Sequence, residues 1–265
     1  MMQRSLALIA GLLSFATIQA DPAPRIAIII DDLGYELGAG HRAVNLPGPV
    51  ACAVLPLTPR ARELANAAHT AGKEVLLHLP LQSDIDDTGQ EPGMINLDTT
   101  REQLARIFAE SFESVPFAIG VNNHRGSLLT QHPGHMGWLM EEIGARGDLL
   151  FVDSYTTHRS VALQLARENG IPSARRDVFL DDLRDEASIA QEFERLKRLA
   201  KSQGLAIGIG HPYPETLAYL ERKLPELRGQ GFKLVSISEY VALKDRSAAE
   251  DARSIAPGAG AATAN

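Results

Sequence analysis

The chain has 265 residues, 45% of them hydrophobic, which is enough apolar material for one sizeable core and, at this length, one domain. It carries 26 Lys and Arg against 33 Asp and Glu, a formal charge of -7, so it lacks the basic footprint that nucleic acid demands of a partner. The single cysteine, Cys52, excludes an intramolecular disulfide, and its setting in the apolar run Val50–Val54 marks it as a small buried hydrophobe rather than a nucleophile.

Residues 1–20 read as a secretory signal: Arg4, a mostly apolar stretch from Leu6 to Ile18, then Gln19 and Ala20 before Asp21. The apolar stretch is short for a membrane span. Cleavage after Ala20 would leave an exported chain, periplasmic or secreted, with no transmembrane span. An uncleaved N-terminal anchor is the alternative, and either way the folded part lies outside the cytoplasm. A Pro-containing linker (Asp21–Pro24) leads to a domain expected over residues 25–243. Residues 244–265, poor in apolar bulk, are expected to be disordered.

Apolar runs follow at Ile26–Ile30, Val50–Leu55, Val75–Leu79, Phe117–Val121, Leu149–Val152, Leu205–Ile209 and Lys233–Ile237. Each is short and apolar throughout, the mark of strands buried on both faces. Helical patterns fill the gaps. Thr100 with Gln103 makes a capping box, Ser160–Asn169 is stopped by Gly170, and Ile189, Phe193, Leu196 and Leu199 form an apolar stripe. This alternation predicts right-handed crossovers and a distorted or incomplete (β/α) barrel of about seven parallel strands, with a doubly wound open sheet as the alternative. Pro80–Thr99 is long for a connection at the functional end of such a sheet.

Polar residues cluster where the strands end. Asp31 and Asp32 follow the first run, His78 the third, His124 the fourth, Asp153 the fifth and His211 the run at Leu205–Ile209. Adjacent carboxylates after a buried strand are costly unless paired, solvated or bound to a cation; capping of the next helix is the other explanation. In parallel α/β folds that end of the sheet is where active sites are built, so topology gathers residues distant in sequence. Imidazole and carboxylate donors without cysteine form a ligand set suited to Zn²⁺ or a similar transition metal. His41 and His69 lie in helices, and His132 with His135 is a weaker local pair. No phosphate-binding glycine loop and no nucleophile elbow is present.

In order, the motifs DDLG (31–34), HLP (78–80), GVNNHRGS (120–127), VDS (152–154) and GIGHPYPET (208–216) resemble the divergent branch of the polysaccharide deacetylases, relatives of carbohydrate esterase family four. The resemblance spans about residues 25–243. It implies a distorted (β/α) barrel and a metal-dependent N- or O-deacetylase acting on a carbohydrate, with an envelope glycan such as peptidoglycan as the expected partner. By motif, Asp31 would be the general base, Asp32, His78 and His124 the metal ligands, and His211 the general acid. Asp153, Asn122, Asn123 and Arg125 would bind or orient substrate. Two departures stand out: the compact His-x-x-x-His pair of the larger family is absent, and Gln82 stands where the divergent branch commonly has Glu. The alternative of another class is a periplasmic metal- or glycan-binding protein that acts in wall remodelling or division without turnover.

Overall fold

The computed structural model describes residues 23–85 and 91–255. The expected signal segment, the first two residues of the linker and the end of the tail lie outside them. Among the described residues no helix is long and apolar enough to cross a membrane.

Strands and helices alternate from the start: β1 (Arg25–Leu33), α1 (Leu37–Val44), β2 (Ala51–Val54), α2 (Ala61–Thr70), β3 (Val75–Leu81), α3 (Arg101–Ser114), β4 (Ala118–Arg125), α4 (Pro133–Gly144), β5 (Leu150–Asp153) and α5 (Ala162–Glu168). Two short strands, β6 (Ser173–Arg175) and β7 (Val178–Phe179), precede α6 (Glu186–Gln203), β8 (Leu205–Gly210), α7 (Pro214–Lys223), β9 (Lys233–Leu234) and α8 (Ile237–Ile255). The expected capping box is present: the Thr100 side chain accepts from Gln103 N, and the Gln103 side chain accepts from Thr100 N.

The order across the sheet is β6-β5-β4-β3-β2-β1-β8-β7, with β9 added beside β1, and the pairings are parallel. From β1 to β6 each strand is laid down beside its predecessor, always in the same direction. A doubly wound sheet would reverse direction at a switch point. Here the crossovers keep the helices on one face, and the sheet curls into an open barrel whose gap falls between β6 and β7. With β9 the sheet holds nine strands among the described residues, where about seven were expected. The additions, Ser173–Arg175 and Val178–Phe179, are three and two residues long, too short to stand out as apolar runs.

Strand alternation divides the apolar residues into two clusters. Ile26, Ile28, Ile30, Cys52, Val54, Leu77, Val121 and Phe151 face the helices. Ala27, Ile29, Ala51, Ala53, Leu76, Leu150, Val152, Ile207 and Ile209 face the barrel interior, where the alanines suit the narrow space. Tyr240 of α8 joins the inner cluster, and its hydroxyl donates to Asp177, in the segment joining β6 to β7. The helix α8 itself corrects the expectation of disorder from residue 244. It continues to Ile255, because Ala, Glu, Asp and Arg without Gly or Pro sustain a helix that apolar content alone does not announce.

Packing makes two glycines behave oppositely. A Cβ on Gly120 would lie 2.5 Å from the backbone oxygen of Leu150, whereas one on Gly38, in α1, meets nothing within 4 Å. Gly120→Ala is expected to lose about 1–3 kcal/mol through overpacking, while Gly38→Ala gains about 0.5–1 kcal/mol from helix propensity; urea unfolding of the two variants checks both. Burial pushes the Cys52 thiol up to about 12, so native protein at pH 8 is expected to resist iodoacetamide and denatured protein to be alkylated, as read by mass spectrometry.

Candidate metal centre

The inward-facing positions of four strands continue, one step past the apolar core, into polar residues. After Ala27 and Ile29 comes Asp31; after Leu76, His78; after Gly120, Asn122 and His124; after Ile207 and Ile209, His211. Asp32, the next residue of β1, would face outward in a regular strand. It does not, because β1 bulges against β2: Ile30 pairs with Cys52 and Leu33 with Val54, and Asp32 takes a left-handed backbone with φ 58°. Such a bulge re-aims a side chain, here turning the second carboxylate back to the barrel mouth beside the first. The pair does not cap α1, whose N-cap position is Glu36.

Asp32, His78 and His124 converge. Asp32 Oδ1 lies 3.2 Å from His78 Nε2 and 2.9 Å from His124 Nδ1, and the two nitrogens are 3.1 Å apart. The tautomers follow from the far side of each ring. His78 Nδ1 lies 3.0 Å from Asn122 Oδ1, and that amide is oriented by its own nitrogen, which donates to Asp31 Oδ1 at 2.8 Å. His78 therefore carries its proton on Nδ1 and presents a lone pair on Nε2. His124 Nε2 lies 3.0 Å from Glu91 Oε2, so its proton belongs there and Nδ1 presents the second lone pair. Asp32 Oδ1 is buried, and among the described residues no well-directed hydrogen bond reaches it.

Three lone pairs thus face one another, an arrangement that needs a positive charge among them. A tetrahedral ion with bonds of ~2.0–2.1 Å separates its ligands by roughly 3.3 Å, close to the observed spacing. The donor set, two imidazole nitrogens and one carboxylate oxygen, fits a divalent transition ion and leaves a position free. Without an ion a proton takes that role. Burial alone would lower the His124 pKa, yet the Asp32 and Glu91 carboxylates in close contact with its two ring nitrogens push it up to about 10. Burial alone would raise Asp32, but His124 and His78 hold its carboxyl far below the ordinary range.

Two further groups flank the convergence point. Asp31 Oδ2 lies 3.5 Å from His78 Nε2. Burial pushes the Asp31 carboxyl above its usual range, and the charge of Asp32 adds to this, against His78, His211 and the Asn122 hydrogen bond. His211 Nε2 lies 3.9 Å from Asp32 Oδ2, and its Nδ1 lies 2.8 Å from Asp181 Oδ1. Asp181 is held in turn by His211 N and the Thr216 hydroxyl, both donating to Oδ2. Burial alone would lower His211, but the Asp181 hydrogen bond and the nearby carboxylates raise it to about 9. The side chains of Asp31 and His78 are only 2% exposed, whereas Asp32 at 28% and His211 at 20% reach the mouth, so the centre opens on their side.

Other residues expected at the site serve its walls. Asp153 follows Phe151 on the outward face of β5, and its carboxylate accepts from Tyr155 N and the Ser160 hydroxyl. Asn123, also outward, donates to Arg125 O and accepts from Ser154 N. Asn122, expected to bind or orient substrate, faces inward and links His78 to Asp31. Arg125, with φ 53°, reaches Glu91 Oε1 at 3.0 Å. Gln82 braces the long loop, its side-chain oxygen accepting from Leu97 N. His132 and His135 do touch, with Nδ1 atoms 3.0 Å apart, but no carboxylate joins them in a metal cluster among the described residues. Sequence reasoning missed Asp181 and Glu91. Asp181 follows a strand only two residues long, and Glu91 sits in an irregular loop, so neither carries a strand-end signal.

The sequence profile described as divergent polysaccharide deacetylase matches residues 28–241. The chain is 36% identical over 221 residues to the uncharacterized protein YibQ of Escherichia coli K12, covering 82% of this chain and 69% of that one. The solved structure of the uncharacterized protein ATU2773 from Agrobacterium tumefaciens C58 superimposes with a TM-score of 0.78 at 25% identity, over 83% of this chain and 90% of that one. BA3943, a CE4 family pseudoenzyme from Bacillus anthracis, shares the fold with a TM-score of 0.52 at 14% identity, over 83% of this chain and 66% of that one. With a profile match running from β1 into α8, and so across every strand that contributes to the centre, the chain belongs to the divergent polysaccharide deacetylase family.

Proposed function

We propose that this protein is an exported, zinc-dependent hydrolase that removes acetyl groups from an envelope carbohydrate, with peptidoglycan as the polymer it would meet in a periplasm. Fold alone cannot carry this reading, since a pseudoenzyme has the same fold. What supports it is one feature: two groups suited to moving protons, Asp31 and His211, flank the point where the lone pairs of Asp32, His78 and His124 meet. A site that only bound metal would have no need of both. Export is supported by the signal-like residues 1–20.

A divalent ion held by Asp32, His78 and His124 would act as a Lewis acid on the acetyl carbonyl and acidify the attacking water. Asp31 supplies the base: its carboxylate, kept in place by Asn122, takes the water's proton. His211 supplies the acid: Asp181 fixes its Nδ1–H, so Nε2 faces the centre and protonates the departing amine or alkoxide. Burial of Asp31 and Asn122 keeps bulk water away from the base. A cavity of about 760 Å³, lined in part by Arg125, Tyr155 and His158, starts at the residue that follows His124 and has room for a glycan fragment.

Zinc analysis of purified protein is expected to show one ion per chain, lost in His78→Ala and in His124→Ala. Asp31→Asn is expected to keep the ion while acetate release from acetylated chitooligosaccharides or peptidoglycan fragments falls about 10²–10⁴-fold. Zinc retained by both histidine variants would reject the ligand assignment. The base works ionised, so kcat/KM rises as pH climbs through the Asp31 pKa. The acid works protonated, so kcat/KM falls as pH climbs through that of His211, about 9. Asp181→Asn removes the contact that raises His211, and the alkaline limb is expected to move to lower pH; an unmoved limb would remove His211 from the role of acid.

A further inference from the structure

His124 turns Nδ1 toward the centre and Nε2 away from it, and Glu91 Oε2 lies 3.0 Å from that outward nitrogen. Glu91 Oε2 is shielded from solvent, and among the described residues it has no hydrogen-bond partner of good geometry; the His124 nitrogen at 3.0 Å is the polar group facing it. Its second oxygen, Oε1, lies 3.0 Å from Arg125 Nη2. A neutral imidazole has one N–H, and the acceptor facing one nitrogen decides which of the two keeps a lone pair for a metal. Asn122 makes that choice for His78. For His124 the group in position to make it is Glu91. A proton on Nδ1 instead would aim a donor at His78 Nε2 and close the site to a cation.

We infer that Glu91 is the positioning residue of the metal centre, the outer carboxylate that fixes the tautomer and ring plane of His124. This inference rests on the reading of Asp32, His78 and His124 as metal ligands and adds the means by which the second histidine is held. It also assigns work to the long connection between β3 and α3. The returning limb of that connection is fastened to β3 by Gln82 N donating to Ile95 O and Ile95 N donating to Pro80 O, and by the Gln82 side chain at Leu97 N. Glu91 thus stands on a braced segment, and Arg125, the neighbour of His124 on β4, grips its other oxygen. A carboxylate there also makes the imidazole a stronger ligand.

The test is a zinc titration against a competing chelator on the full chain, comparing wild type, Glu91→Ala, Glu91→Gln and His124→Ala, with nitrogen NMR of the zinc-loaded His124 ring. Glu91→Ala is expected to bind zinc about 10–100-fold more weakly, with the unfolding midpoint of the zinc-free protein unchanged. Glu91→Gln keeps an acceptor oxygen without the charge, so it falls between Glu91→Ala and wild type and preserves the Nε2–H tautomer. Glu91→Ala binding within about twofold of wild type would overturn the inference and leave the metal centre standing. Equal losses in both Glu91 variants, with a lowered zinc-free midpoint, would make Glu91 a mere loop brace and also overturn it. A wild-type chain that takes up no zinc would overturn the metal reading itself, and the inference with it.

Discussion

A carboxylate oxygen and two imidazole lone pairs held about 3 Å apart repel one another unless a positive charge stands among them. Much of the surrounding structure enforces that proximity. The curled sheet brings β1, β3 and β4 together, strand alternation turns His78 and His124 inward, and the bulge at Asp31–Asp32 brings in a second carboxylate that regular pleating would send to the helices. Non-glycine residues at positive φ cost energy, and Asp32, Arg125 and Tyr155, at 58°, 53° and 51°, all stand at strand ends around the mouth. Strain of this kind collects where side chains are aimed for function.

Beyond the three ligand atoms the arrangement is one of paired supports. Asn122 holds His78 on one side and Asp31 on the other, so ligand and base are positioned by the same buried amide. Asp181 holds His211 and is itself held by Thr216 and a backbone N–H. The buried polar groups at the heart of the centre are thus satisfied by one another, as a low-dielectric setting requires. Asp32 Oδ1 and Glu91 Oε2 are the exceptions, and the first is the atom a cation would take.

Much of this was legible in the order of residues. Short all-apolar runs identified the parallel strands, and a polar residue after each marked the end at which a site forms. Asp31, Asp32, His78, His124 and His211 do gather there. Asp153 shows the limit of that rule: it ends a strand, but Phe151 two positions earlier faces the helices, so period two sends Asp153 behind the wall. Asn123 departs for the same reason. Asp181 and Glu91 could not be read at all, because each follows a segment without periodicity and acquires its role through a contact distant along the chain, with His211 for Asp181 and His124 for Glu91. The helix through Ile255 was obscured by a composition poor in apolar residues but free of helix breakers.

The most direct test of the central claim is an anomalous-scattering map at the zinc edge from crystals of the zinc-loaded protein. The account predicts one strong peak within bonding distance of Asp32, His78 Nε2 and His124 Nδ1, with Asp31 and His211 on its open side. Absence of a peak there, or a peak at His132 and His135 instead, would contradict it.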